Sequence, residues 1–318
     1  MESEKILILG AAGQIGSDLT AALRERYGND AVVASDLHEG IPTALEGGPY
    51  VQLNAMDRQA LEDVVQRFEI TQVYHLVAML SATAEQHPLK GWDLNMQTLF
   101  HCLEMAREGK IKRMFWPSSI AVFGPKSPQN QTPQHTILEP STVYGISKVA
   151  GESWCEYYHQ KYGVDVRSVR YPGLISFRGA PGGGTTDYAV HIFHEALKHG
   201  RYTSFIQADR ALPMMYMPDA IRATLEIMHA PADKVRLRTA YNIAGMSFNP
   251  EEIAESIRRK LPDFSIGYAP DYRNEIAANW PASVEDSSAR QDWGWQPEYD
   301  LDQMVDDMLV QLKGAYVA

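Results

Sequence analysis

The chain has 318 residues, of which 45% are hydrophobic and 22% charged, with a formal net charge of −11. Such a chain suits one large soluble domain or two interleaved ones with an ample core, while its acidic balance and lack of a Lys-rich run exclude a surface built to neutralise nucleic-acid phosphates. Two cysteines, Cys102 and Cys155, exclude a disulfide framework and a Cys-rich zinc site, and no apolar run approaches the roughly 18 residues of a membrane span.

MESEKILILG (1–10) enters a strand at once, so no signal or transit segment is expected, and the expected location is the cytoplasm, with both thiols free. That strand leads into GAAGQIG, whose glycines Gly10, Gly13 and Gly16 open a helical pattern over 14–26. The order supplies a tight turn, then backbone close to a pyrophosphate, then a helix N-terminus aimed at its charge. A second strand, AVVASD (31–36), ends in Asp36, 20 residues after Gly16. A carboxylate there accepts hydrogen bonds from both adenine-ribose hydroxyls and repels a 2′-phosphate, which selects NAD over NADP. A weaker strand, VQLNAMD (51–57), ends in Asp57, placed to reach the adenine amino group and also to cap the helix expected over 58–68.

The strands QVYHLVA (72–78), RMFWPSS (113–119) and DVRSVRYPG (165–173), alternating with helical patterns such as 93–107, complete an α/β pattern. Apolar strands separated by helices of ten or more residues imply βαβ units, hence a doubly wound, mostly parallel Rossmann sheet. His75, inside a strand, reads as a satisfied core histidine. Ser119 ends its strand and precedes Tyr144 by 25 residues. In TVYGISKVAGE (142–152), Tyr144 and Lys148 are spaced i,i+4, so one turn of helix puts them on the same face. A phenol with its ordinary pKa near 10 is a poor base at neutral pH. A nearby ammonium favours the phenolate and brings it into useful range. Lys148 is also placed to hold a nicotinamide ribose, and the Ser119 hydroxyl to orient a substrate oxygen and share its developing charge. The helices over 93–107 and 145–161 carry apolar residues, including Leu99, Leu103, Trp154 and Tyr158, on more than one side.

The second half is less regular, with helices expected over 186–199, 218–229 and 250–260 and a loop-rich stretch over 262–285. Residues 1–170 read as the cofactor domain and 171–318 mainly as a substrate region, with the chain crossing back more than once. RGAPGGGTTDYA (178–189) suits a substrate lid or a plain loop better than a second pyrophosphate cradle, because no strand leads directly into it. Its backbone N–H groups, its hydroxyls and the start of the following helix suit a carboxylate, and Thr185 or Thr186 is the expected helix cap. Ser81, in VAMLSATAEQ (77–86), is placed to take an ammonium or carboxylate from the other side. Asp187 and Arg178 flank the lid, as a hinge or a pair. His194, Glu195 and His199 form HExxxH, a spacing of five that moves the imidazoles off a common face, and the His191/His194 pair lacks a nearby third ligand, so no catalytic metal is expected.

GAAGQIG, Asp36, PSSIAVFG (117–124) and the Tyr144–Lys148 pair together resemble the extended short-chain dehydrogenase/reductases, and ARQDWGWQP (289–297) resembles a segment many of them carry near the C-terminus. The resemblance spans essentially the whole chain. It implies Tyr144 as acid/base, Lys148 as its partner, Ser119 as the orienting hydroxyl, and a homodimer formed through two such helices. Phe123 stands where the related sugar epimerases usually have tyrosine. Ile120 and Ala121 stand where sugar dehydratases usually have an Asp-Glu pair, which argues against dehydration. GGGTTDYAVHIFHEALKHGRY (182–202), followed by ALPMMYMPDAIRATLEIM (211–228), is similar to the short-chain-type L-threonine 3-dehydrogenases. That similarity implies oxidation of L-threonine by NAD, with Gly184, Thr185 and Thr186 closing over the amino acid and Trp280 shielding the pocket from water. The cofactor set expected with it adds Gln14, Ile15, Leu76, Ala78 and Tyr171. The rival reading is a nucleotide-sugar 4-epimerase with tightly bound NAD, for which Arg201, Arg210 and Arg222 are available to hold a diphosphate. A non-enzymatic NAD-binding module is disfavoured by the intact Ser119, Tyr144 and Lys148.

Overall fold

The computed structural model describes residues 4–179 and 184–316. The first part runs β1 (Ile6–Leu9), α1 (Gln14–Tyr27), β2 (Val32–Asp36), β3 (Tyr50–Gln52), α2 (Arg58–Arg67), β4 (Gln72–His75), α3 (Ser81–Gln86), α4 (Pro88–Arg107), β5 (Arg113–Phe115), β6 (Ser118–Ser119), α5 (Val143–Tyr162), β7 (Val166–Arg167), β8 (Val169–Tyr171) and β9 (Gly173–Ile175). There follow α6 (Tyr188–His199), β10 (Arg201–Ser204), β11 (Leu212–Tyr216), α7 (Met217–His229), β12 (Tyr241–Asn242), β13 (Met246–Phe248), α8 (Pro250–Arg258), β14 (Ser265–Tyr268), α9 (Tyr272–Ala278), α10 (Ser287–Trp293) and α11 (Leu301–Tyr316).

Six strands form a parallel sheet in the order β3-β2-β1-β4-β5-β7. All four residues of β1 are buried, as a strand covered by helices on both faces requires. Its alternate side chains part company: Leu7 and Leu9 pack with Val33, Val73, Leu99 and Leu103, while Ile6 and Ile8 pack with Leu19, Leu23, Ala34 and Ile227. The order reverses between β1 and β4, and ligands of such sheets bind outside the carboxyl ends of the strands at that switch. The turn after β1, residues 76–78 after β4, and β6 after β5 all lie at this edge.

Two expected strands are broken, 165–173 into β7, β8 and the start of β9, and 113–119. The run 113–119 becomes β5 and β6 because Pro117 has no N–H to give a ladder. Beyond it the chain joins another sheet, β12-β8-β6, in which Ser118 faces Arg170 and Ser119 faces Tyr171. The helix expected from residue 93 begins at Pro88, a residue pre-set for a first helical turn. The stretch over 262–285 contains β14, paired with β10, and α9, whose N-cap Asp271 accepts from Arg273 N–H. A third core, around Phe123, Ile175, Tyr188, Phe193, Met214, Phe248 and Trp280, lies among the later elements. The chain nevertheless returns to the main sheet, since Ile221 and Ile227 of α7 and Tyr241 of β12 pack with Ile6, Ile8 and Leu19.

Candidate active site

At the switch point lies a cavity of about 260 Å³. Gly10, Gly13, Gln14, Ile15, Gly16, Leu76, Ala78, Ser81, Ser119, Tyr144, Lys148, Tyr171, Gly184, Thr185, Thr186 and Trp280 all line it, so residues dispersed over most of the sequence meet around one cavity. Pro117, Leu80 and Leu174 line it as well and carry no sequence signal of their own, and Asp187, expected only to flank the lid, joins them.

The turn after β1 is shaped to admit a phosphate-bearing group. Gly10 has φ +80°, a left-handed conformation that glycine adopts without penalty. A Cβ on Gly16 would stand 2.4 Å from the Gly10 carbonyl oxygen, so α1 starts in direct contact with the turn. A Cβ on Gly13 would meet only that same oxygen, at 3.3 Å, and the turn is left open. Asp36, at the end of β2, accepts the Ala12 N–H at 2.9 Å and so stands beside the same turn. Gln14 Nε2 is buried without a hydrogen-bond partner. Open backbone, an adjacent carboxylate and an unpaired amide together fit a dinucleotide. Asp57 does not line the cavity; it caps α2, its Oδ1 accepting from Ala60 N–H at 3.0 Å.

The catalytic-type residues meet because α5 lies very close to the turn after β6. A Cβ on Gly145 would stand 2.2 Å from the Ala121 carbonyl oxygen, so only glycine permits the approach that sets Tyr144 beside Ser119. The Ser119 hydroxyl is near enough to lower the Tyr144 phenol's pKa, and it accepts the Ala121 N–H at 3.2 Å. Thr142 caps α5 by accepting Gly145 N–H at 3.0 Å. Lys148, with 3% of its surface exposed, donates to the Pro117 carbonyl at 2.6 Å and lies 4.4 Å from the Trp116 ring centroid and 5.3 Å from that of Tyr144.

The electrostatics differ from the sequence expectation. Burial pushes the Tyr144 phenol up to about 12, against a smaller lowering by the nearby Ser119 hydroxyl. Burial pushes Lys148 down to about 7, against support from Cys155 and Glu152. The protein alone therefore disfavours both charged forms, because desolvation outweighs the attraction inferred from spacing.

Across the cavity, Thr185 is 1% exposed and its hydroxyl has no hydrogen-bond partner. An unpaired buried hydroxyl is costly, and one facing a cavity marks a place for a ligand group. The helix expected from Thr186 starts instead at Tyr188. Neither threonine caps it; Asp187 precedes it, and its carboxylate accepts Gly184 N–H at 2.8 Å. Arg178 pairs with Asp18 of α1 at 3.2 Å, and Ser176 Oγ donates to the same carboxylate at 3.2 Å. Residues 180–183 of the expected lid lie outside the described residues. Trp280 is buried and joins the third core, so it is wall and core at once.

Several candidates fall elsewhere. Arg222 is committed to Asp219, Glu226 and Glu298, Arg201 and Arg210 do not line the cavity, and among the described residues Lys148 is its one cationic wall residue. His75 is a core residue, but not a satisfied one: neither ring nitrogen has a hydrogen-bond partner, and burial pushes it down to about 3, so it is neutral. Among the described residues no three His, Cys, Asp or Glu side chains are grouped to hold a metal ion. Both cysteines are buried and free. Leu99 and Leu103 lie in the core, whereas Trp92, Trp154, Tyr157 and Tyr162 leave an apolar, exposed face on α4 and α5.

Residues 6–244 match the NAD dependent epimerase/dehydratase family. A GalE-like L-threonine dehydrogenase from Cupriavidus necator, in its holo form, is similar at 59% identity and a TM-score of 0.94, over 97% of this chain and 99% of that one. A monomeric L-threonine 3-dehydrogenase from a metagenome, in its apo form, is similar at 45% identity and a TM-score of 0.94, over 98% and 99% of the two chains. An uncharacterized epimerase/dehydratase of Staphylococcus saprophyticus is 48% identical over 98% of each chain. The chain belongs to the NAD dependent epimerase/dehydratase family.

Proposed function

From its place in that family, we propose that the protein oxidises L-threonine at the β-hydroxyl to L-2-amino-3-oxobutanoate with NAD⁺, using Tyr144 as base. The observation that carries the reading is the meeting of the Ser119–Tyr144 pair with the unpaired Thr185 hydroxyl across one small cavity whose only described cation is Lys148. That lining suits a small zwitterion and, among the described residues, offers no arginine to a second diphosphate, which counts against the 4-epimerase reading. The names of the similar solved structures support the same substrate.

On this reading the turn over 10–16 holds the pyrophosphate, and Asp36 takes the adenine ribose and selects NAD. Asp57 contributes through the start of α2, near the adenine. Leu76, Ala78 and Tyr171 line the nicotinamide end, and Lys148 holds its ribose. When bound, NAD⁺ supplies the hydride acceptor and a positive ring that favours the phenolate. Ser81, Thr185, Thr186 and the Gly184 backbone hold the ammonium and carboxylate. Ser119 orients the β-oxygen, and phenolate Tyr144 takes its proton as the β-carbon–hydrogen bond breaks with its electron pair and the ketone forms. Trp280 and the lid over 178–187 exclude water, which strengthens each polar contact. Residues 1–170 serve mainly the cofactor and later ones mainly the substrate. The apolar face of α4 and α5 pairs with a second copy in a homodimer, testable by light scattering. No described helix is long and apolar enough to cross a membrane, and we place the enzyme in the cytoplasm.

The test is NADH formation from NAD⁺ and L-threonine in the presence of a chelator. Tyr144→Phe is expected to lower kcat by about 10²–10⁴-fold, the usual worth of a positioned base. Formation of NADH only in the absence of chelator, or none from L-threonine alongside 4-epimerisation of a UDP-sugar, would overturn the reading.

A further inference from the structure

Three successive residues each face a different turn of α5. Pro117 accepts from Lys148 Nζ at 2.6 Å, Ser118 Oγ donates to Glu152 Oε1 at 2.6 Å, and Ser119 lines the same cavity as Tyr144 and lowers its pKa. Tyr144, Lys148 and Glu152 stand at i, i+4 and i+8, down one face of the helix. Glu152 is buried but does not line the cavity, so it cannot touch a substrate there.

A buried carboxylate is costly unless paired and hydrogen-bonded. Glu152 is both. Arg170 of β8, also buried, grips it as a fork, Nε to Oε1 at 2.8 Å and Nη2 to Oε2 at 2.7 Å. Arg170 is the strand partner of Ser118, and its Nη1 reaches the Gln134 carbonyl and Asn242 Oδ1, each at 3.1 Å. Asn242 in turn donates to the carbonyls of Thr132 and Glu285, each at 3.1 Å. Well-packed apolar residues often replace such a pair without loss of stability. Stability alone therefore does not account for it, whereas its directional bonds set a register that apolar contacts cannot.

We propose that Glu152 and Arg170, with Ser118 as the third arm, form a positioning clamp that holds residues 117–119 against α5 so that Ser119, Tyr144 and Lys148 meet. The inference rests on the function proposed above. The clamp also places negative charge one turn from the Lys148 ammonium. The groups around that ammonium are Tyr144, Glu152 and Cys155 on its own helix, His75 on β4 and the Trp116 ring, with Arg170 beyond Glu152.

The variants are Ser118→Ala, which removes one hydroxyl, and Glu152→Gln, which removes the charge; circular dichroism and melting verify their folds. Both are expected to lower kcat by roughly tenfold or more, since displacements well under 1 Å are felt in a reacting geometry, while KM for L-threonine and NAD⁺ stays within about threefold. Glu152→Gln also moves the titration of Lys148 in the pH–rate profile to lower pH, a shift that loss of packing alone does not produce. Folded variants with kcat within twofold of wild type and an unchanged profile overturn the clamp. Should Glu152→Gln fail to fold, Ser118→Ala decides through kcat. Should the wild type leave L-threonine unoxidised, the function fails separately. Hydrogen exchange of 117–123 then decides: faster exchange in the variants supports the clamp and unchanged protection overturns it.

Discussion

Adding one methyl group at Gly145 tests how the active site is assembled. A Cβ there would lie 2.2 Å from the Ala121 carbonyl oxygen and 2.6 Å from Pro140 Cβ. A relaxed carbon–oxygen contact needs about 3.3 Å, so roughly 1 Å must be found. Neither neighbour is the end of a flexible side chain, and α5 must move away from the turn after β6. That movement separates Tyr144 from Ser119. Misplacement by about 1 Å costs on the order of 10²-fold in rate. Stability changes less. Overpacking costs about 1–3 kcal/mol, and replacing glycine by alanine within a helix returns about 0.5–1 kcal/mol. The net loss, at most about 2.5 kcal/mol, lowers Tm by no more than about 10 °C, and the protein stays folded. Gly145→Ala should therefore lose about 100-fold in kcat for NADH formation while keeping a cooperative melt. Gly314→Ala is the control, because a Cβ there meets nothing within 4 Å. Wild-type kcat and Tm in Gly145→Ala would refute the claim that this contact sets the site.

The two cofactor-turn glycines should separate in the same way. Gly13→Ala meets only the Gly10 carbonyl oxygen, at 3.3 Å, so a shift of a few tenths of an ångström admits it, but it fills the open cradle; NAD⁺ affinity by calorimetry should fall at least about tenfold, or about 1.4 kcal/mol, with a smaller loss of Tm than Gly16→Ala. Gly16→Ala strikes backbone 2.4 Å away, and its Tm should fall as well. Asp36→Asn keeps an acceptor for Ala12 N–H but loses the charge. A charged hydrogen bond is worth about 1.5–3 kcal/mol, so NAD⁺ should bind roughly 10–100-fold more weakly and NADP⁺ more tightly, read by titration of both. For pH, the proposed mechanism requires Tyr144 ionised and Lys148 protonated. With the phenol up at about 12 and the ammonium down at about 7, kcat/KM for NAD⁺ should rise with unit slope to about pH 7 and then flatten, as base gained offsets ammonium lost. A maximum well below neutral pH, followed by a fall, would contradict the assignment.

Much of this was legible in order along the chain. Gly10, Gly13 and Gly16 between a strand and a helix, Asp36 at the next strand end, and Tyr144 and Lys148 one turn apart are local patterns, and local sterics and periodicity read them directly. The places where that reading failed share a cause. Pro117 divides a strand because the chain changes sheets there, and the start of α6 passes from Thr186 to Tyr188 because Asp187 accepts the Gly184 N–H. Neither event has a periodicity. Arg201, Arg210 and Arg222 were equally available by composition, and only their positions remove them from the cavity wall.

Residue type and spacing thus determined the parallel sheet, the glycine turn after β1 and the placing of Tyr144 and Lys148 one helical turn apart, since each depends on neighbours within a turn of helix or a few residues of strand. The tertiary structure alone decided that Ser119 and Tyr144 line one cavity, that burial raises the phenol, that Thr185 faces the cavity unpaired, and that Arg170 grips Glu152 behind the site. Those outcomes depend on desolvation and on contacts between residues far apart in the chain, which are set only when the sheet and α5 pack together.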